Sequence, residues 1–159
     1  MGAAIALSLA LVFTVGGMAF AQRDGDRRGT EGCTLGFWKN HLDDWGPTGF
    51  SPAQSLTGAG FVIPAGITVP GATPLLQALE FPGGPGLDGA ARILLRQAVA
   101  AALNAAHPAV SYPIEPVATV IGMTNAALLT LDRGVMLFQA SQFDAFNNLG
   151  CPHPFPVRR

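Results

Sequence analysis

The chain has 159 residues, of which 12% are charged and 49% hydrophobic, with 9 Lys+Arg against 10 Asp+Glu and a formal net charge of -1. That balance excludes an electrostatic nucleic-acid binder, and so apolar a chain is not globally disordered. The length fits one domain with a sizeable core.

The first 21 residues carry no charged side chain. An apolar run from Ala3 to Val15 is broken by Gly16-Gly17, and Ala19-Phe20-Ala21 supplies the small-x-small pattern of a signal-peptidase site. Residues 1–21 are therefore expected to be a signal peptide, cleaved before Gln22. No Lys or Arg precedes the run, and Arg23, Arg27 and Arg28 come after it. An uncleaved anchor is thus the alternative, since about 20 apolar residues can span a bilayer. Residues 22–32, QRDGDRRGTEG, read as a flexible leader. The only two cysteines, Cys33 and Cys151, lie near the two ends of the mature chain beyond that leader. An even count in an exported protein favours a disulfide; two free thiols in a cytosolic protein is the other reading.

Cys33 to Phe50 holds both tryptophans, the only lysine and one histidine. A short helical turn is predicted over Trp38–Trp45, ending at Gly46-Pro47. Ser51-Pro52 reads as an N-cap followed by Pro at the first helical position. In Gly58–Pro70, the β-branched stretches at Phe61-Val62-Ile63 and Ile67-Thr68-Val69 can pair as one short hairpin or run as extended loop. Thr73-Pro74 repeats the cap-plus-Pro signal and opens a helix over Pro74–Glu80. Residues 82–86, PGGPG, are loop.

Asp88–Ala106 is the strongest helical signal, apolar nearly all round and so expected to be buried on most sides. Asp88 is its expected N-cap, with Arg92 and Arg96 following at i, i+4 spacing. His107-Pro108 ends it. Pro116–Leu129 places Val117, Val120, Ile121 and Leu128 on one face. A last helix opens near Asp132, with Val135, Met136, Ala140, Phe143 and Phe146 expected inside, and Asn147 to Gly150 stop it. No long-period repeat occurs. The expected fold is mainly α: a small disulfide-tied bundle of about four to five helices with Gly/Pro-rich loops. The helical domain spans 33–152 and an extended tail 153–159.

The decapeptide GCTLGFWKNH, Gly32 to His41, resembles a family of uncharacterised exported bacterial proteins with a Gly-Cys-Thr-Pro-Gly-Tyr/Phe-Trp-Lys-Asn-His box. LLQAL (75–79), the alanine-rich stretch 90–108, Tyr112-Pro113 and NNLGCP (147–152) are also similar to that family, in the same order. Leu35 departs from the usual Pro. The resemblance implies export, one helical domain and a Cys33–Cys151 pairing. It implies no activity.

Two readings of the box compete. In one, Trp38, Lys39, Asn40, His41 and Trp45 form a ligand-binding patch, with flat rings for sugars and polar groups for hydrogen bonds. In the other, favoured because tryptophans are highly buried on average, Trp38 packs on the disulfide and the central helix while Asn40 and His41 bond the local backbone. His41, Asp43, Asp44 and His153 are the only residues worth weighing as metal ligands, and their spacing matches no zinc or calcium pattern, so no metal is expected. Ser51, Ser55, Ser111 and Ser141 lack a nucleophile motif, and Glu80 and Glu115 have no glycosidase spacing. His107, at a helix end, is expected to cap carbonyls. No catalytic residue and no cofactor are expected.

The low charge leaves much of the surface neutral or apolar, and large apolar patches mark contact sites. The expectation is a secreted or cell-surface, non-enzymatic structural or interaction protein, self-assembling into filaments or a surface layer. A carbohydrate- or envelope-binding module using Trp38 and Trp45 is the alternative, and a small hydrolase the third. Expected partners are copies of itself, other surface components or polysaccharide, with no nucleic acid. Membrane contact is expected only through an uncleaved N-terminal segment.

Overall fold

A computed structural model describes residues 29–155. The expected signal peptide, residues 22–28 of the leader and the last four residues of the tail lie outside the described residues. Five α-helices and two 3-10 segments succeed one another: α1 (Leu35–Asn40), a 3-10 segment (Leu42–Thr48), a second (Thr57–Ala59), α2 (Leu75–Ala78), α3 (Gly86–Ala106), α4 (Val117–Leu129) and α5 (Arg133–Asn147). The fold is a small helical bundle tied by a Cys33–Cys151 disulfide, which closes a separation of 118 residues.

α3 is the axis of the bundle. It runs 21 residues, about 32 Å at 1.5 Å per residue. Ala90, Ala91, Leu94, Leu95 and every residue from Ala98 to Leu103 are buried. A helix so apolar around its circumference needs partners on most sides, and its alanines let α4 and α5 lie close. α5 covers it most extensively, then α4, while α1 and α2 close the remaining sides. α4 contributes Val120, Thr124, Ala127 and Leu128, and α5 contributes Met136, Ala140 and Phe143. Val135, expected inside, is exposed instead, and Phe146 is half-buried. The helix around Asp132 opens as expected: Asp132 Oδ1 accepts from the amides of Gly134 at 2.7 Å and Val135 at 3.0 Å.

Several local expectations give way to longer-range partners. α3 begins at Gly86, so Asp88 sits inside its first turn and does not cap it. Its carboxylate accepts from the Thr68 amide at 2.7 Å and the Thr68 hydroxyl at 2.6 Å. The hydroxyl and amide of Thr68, with a weaker contribution from Arg92, hold it below the usual carboxylate range. The Asp88–Arg92–Arg96 spacing forms no ion pair among the described residues. Ser51-Pro52 starts a turn, not a helix, and the helix after Thr73-Pro74 is the single turn α2, which no side chain caps. Thr73 donates its hydroxyl to Pro70 O instead.

Of the two readings for Gly58–Pro70, the structure takes the loop. Asn125 on α4 accepts from the Val62 amide at 2.8 Å and donates to Gly60 O at 3.0 Å. With Asp88 holding Thr68, these backbone groups go to helix side chains and not to each other. Phe61, Ile67 and Val69 then plug the core from the loop.

Glu31 and Gly32, expected in the leader, are bonded to the domain. The Glu31 amide donates to Ser111 O at 3.0 Å, and the Glu31 carboxylate accepts from the Ser111 amide at 2.8 Å. Gly32 and Gly150 exchange two backbone hydrogen bonds. A Cβ on Gly32 would collide with the Phe146 carbonyl oxygen. Glycine is thus what lets the entering chain lie against the end of α5 and bring Cys33 beside Cys151, Cα to Cα 4.4 Å. Among the described residues, no helix is long and apolar enough to cross a membrane.

Candidate functional site

The box folds as a capped turn with a break. Thr34 Oγ1 accepts from the Phe37 amide at 3.1 Å and starts α1, which stops at Asn40. His41 leaves the helical region, and the chain resumes as a 3-10 turn that runs through Gly46-Pro47 to Thr48. The expected single turn over Trp38–Trp45 is therefore two pieces.

Trp38 is wholly buried and Trp45 is 1% exposed. Each indole N–H is satisfied inside the protein: Trp38 Nε1 donates to Asn104 Oδ1 at 3.2 Å, and Trp45 Nε1 donates to Trp38 O at 2.9 Å. Asn40 donates to Gly36 O at 2.8 Å, and His41 Nδ1 donates to Phe37 O at 2.9 Å. Neither tryptophan offers a ring face to solvent. Sugar stacking on Trp38 and Trp45, the binding reading of this box, has no surface to act on in this conformation. Lys39 and His41 stay partly exposed.

Beneath the box lies a polar network that the sequence reading did not single out. Asn104 and Asn147 are both wholly buried. Asn104 Oδ1 accepts from the Cys33 amide at 2.8 Å as well as from Trp38, and its Nδ2 donates to Cys33 O at 2.8 Å and Asn147 Oδ1 at 3.0 Å. Asn147 Oδ1 also accepts from the Tyr112 hydroxyl at 2.9 Å, and its Nδ2 donates to Gln97 O and Gln97 Oε1. Each amide thus serves at both ends. Burial pushes the Tyr112 phenol well above its ordinary pKa. Asn147, expected as a helix stop, closes α5 with its side chain turned inward. The signal available was one Asn in an otherwise apolar stretch of α3, because a buried amide must find partners.

The tail completes an aromatic cluster over the box. His41 stacks on Phe37 at 4.2 Å between ring centroids, and His153 lies 4.9 Å from His41 and 5.3 Å from Phe37. Phe155 sits 4.0 Å from His107 and 6.4 Å from Trp38. All three histidines of the chain meet here. His107 is the C-cap of α3: its backbone N–H serves Leu103 O and Asn104 O, and its Nδ1 accepts from the Ala109 amide at 3.2 Å. Of the residues weighed as metal ligands, His41, Asp44 and His153 come together, with His153 Nε2 3.5 Å from Asp44 Oδ2. Among the described residues, no three His, Cys, Asp or Glu side chains are arranged to hold a metal ion.

The serines have local duties: Ser55 Oγ accepts from the Gly58 amide, and Ser141 Oγ donates to Phe138 O. Glu80 and Glu115 are exposed.

The most unusual surface lies elsewhere. Seven large apolar side chains are strongly exposed among the described residues, and Leu129, Leu131, Val135 and Phe138 supply four of them. All four lie around the α4–α5 turn, so the exposure is concentrated and not scattered. Phe138 is 65% and Leu129 60% exposed. Leu131 holds a φ of +50°, a region that L side chains with a Cβ avoid. No family model, curated protein or solved structure matches this chain. The likeness carried by Gly32–His41 therefore stands as a resemblance alone.

Proposed function

We propose that this chain is a non-enzymatic structural or interaction protein of the cell exterior that assembles with copies of itself. The observation that carries this reading is the apolar α4–α5 corner. Leaving Leu129, Leu131, Val135 and Phe138 in water forgoes burial free energy that a partner surface would recover, about 25 cal/mol per Å² of apolar area covered. The stretch from Pro116 to Leu131 has no charged side chain, and the exposed Asp132 and Arg133 are the charges between Leu131 and Val135. Export is supported by the Cys33–Cys151 disulfide, a bond of oxidising compartments, and by the apolar run and Ala19-Phe20-Ala21 ahead of it.

Sedimentation velocity over a wide concentration range, with electron microscopy of the same oxidised material, tests assembly. Concentration-dependent growth into oligomers or filaments is expected. A monodisperse monomer at high concentration overturns the reading. Intact mass of exported protein tests processing, with Gln22 as the expected first residue.

A further inference from the structure

A cleft of about 210 Å³ lies between α3 and α5. Ile93, Arg96 and Gln97 line it from α3, and Leu137, Ser141 and Asp144 from α5. Its size falls below the ~300–1,000 Å³ of drug-sized sites, so an occupant has only a handful of heavy atoms. The polar groups are arranged in an unusual way for a helix–helix seam. Arg96 and Asp144 carry opposite charges into the same space yet form no ion pair among the described residues. The guanidinium holds one acceptor among them, Phe81 O at 3.2 Å from Nη1, and its buried Nε has none. Asp144 is positioned from below: Oδ1 accepts from Gln97 Nε2 at 2.8 Å and Asn148 Nδ2 at 3.3 Å. Gln97 is itself only 7% exposed and bonded through Oε1 to Asn147, so the carboxylate is tied to the central polar network.

We infer that this cleft binds a small zwitterion, with the ligand's carboxylate on the Arg96 guanidinium and its ammonium on Asp144. A carboxylate suits the planar donor edge of arginine, where two parallel hydrogen bonds can form. An ammonium suits a fixed carboxylate whose second oxygen has no partner among the described residues. Ile93 and Leu137 provide apolar wall for a short alkyl chain between the charges.

Titration calorimetry on the oxidised chain tests this, using glycine, β-alanine, γ-aminobutyrate and leucine, with propionate and propylamine as half-molecules. At least one zwitterion is expected to bind about ten-fold or more tightly than either half-molecule, and Arg96→Met and Asp144→Asn each to weaken it by about ten-fold or more. Ser141→Phe fills the cleft from an exposed position and is expected to abolish binding with the far-UV spectrum unchanged. If Arg96→Met fails to fold, the other two variants decide. The inference is overturned if no zwitterion exceeds its half-molecules, or if binding persists in Ser141→Phe or Asp144→Asn.

Discussion

Asn104 and Phe138 both sit on long helices of the bundle, and each occupies the place normally given to the other's chemistry. The amide is wholly buried; the phenyl ring is 65% exposed. Around Asn104, every donor and acceptor of the side chain is matched, and the matches join the box, the disulfide, α3 and α5. Around Phe138, apolar side chains face water on both sides of a turn held by a left-handed leucine. The first region uses polarity to fix one arrangement of the chain ends. The second leaves apolar area uncovered, which folding alone gives no reason to do. The contrast separates what holds this molecule together from what it presents to others.

The largest way to break the first region is to remove the clasp. Replacing both cysteines, Cys33→Ala with Cys151→Ala, frees a 118-residue loop, for which chain-entropy arithmetic allows up to about 4–5 kcal/mol. Denaturant unfolding of oxidised parent and double variant measures it. Next comes Asn104→Leu, which keeps the branched shape with somewhat more bulk and strips the hydrogen bonds. It leaves the Cys33 amide and carbonyl and the Trp38 indole unpartnered, and a loss of about 3 kcal/mol is expected. The control is Leu103→Met at the neighbouring buried position, expected to cost less than about 1.5 kcal/mol. If the two variants cost the same, the network is packing filler and not a clasp.

A smaller effect reads the same network through pH. The buried Tyr112 hydroxyl donates to Asn147, and its pKa in the fold lies above the ordinary value of 10.0. A phenol that ionises more readily when unfolded stabilises the unfolded state once pH exceeds that ordinary value. Its contribution is therefore intact below about pH 10 and declines as pH rises above it. Urea midpoints collected across that window should fall, and Tyr112→Phe should flatten the slope while lowering the plateau by about 1 kcal/mol for the lost hydrogen bond.

The sequence made some of this legible and hid the rest for a consistent reason. The order of α3, α4 and α5 follows from helical periodicity, and Asp132 caps α5 because an N-cap needs only residues two and three places ahead. Asp88 and Ser51 carry the same local signature and do not cap. For Asp88 the reason is visible: Thr68, twenty residues back, takes its carboxylate. The hairpin option failed likewise, to Asn125 on a helix far along the chain. For the box, the favoured structural reading rested on the average burial of tryptophan. The partners that bury Trp38, Asn104 and Phe155, lie 66 and more residues away, beyond any periodicity. The exposure of Val135 was hidden because an amphipathic pattern tells which face is apolar, not whether the rest of the chain covers every apolar side chain on it; Phe138, two residues beyond Met136, lies off the face expected inside.

Phe138 also gives the gentlest test and the most discriminating one. Exchanging it for lysine removes no buried contact of the core and places a charge where water already reaches. Unfolding free energy should move by no more than about 0.5 kcal/mol, as for ordinary surface substitutions. Association should respond in the opposite sense, because a lysine at the centre of an apolar contact must be desolvated without a partner. Sedimentation of parent and Phe138→Lys at equal concentration compares them directly. Loss of the larger species with unfolding unchanged assigns the corner to assembly. A stability loss comparable to that of Asn104→Leu would mean that the ring supports the fold after all, and the distinction between the two regions would collapse.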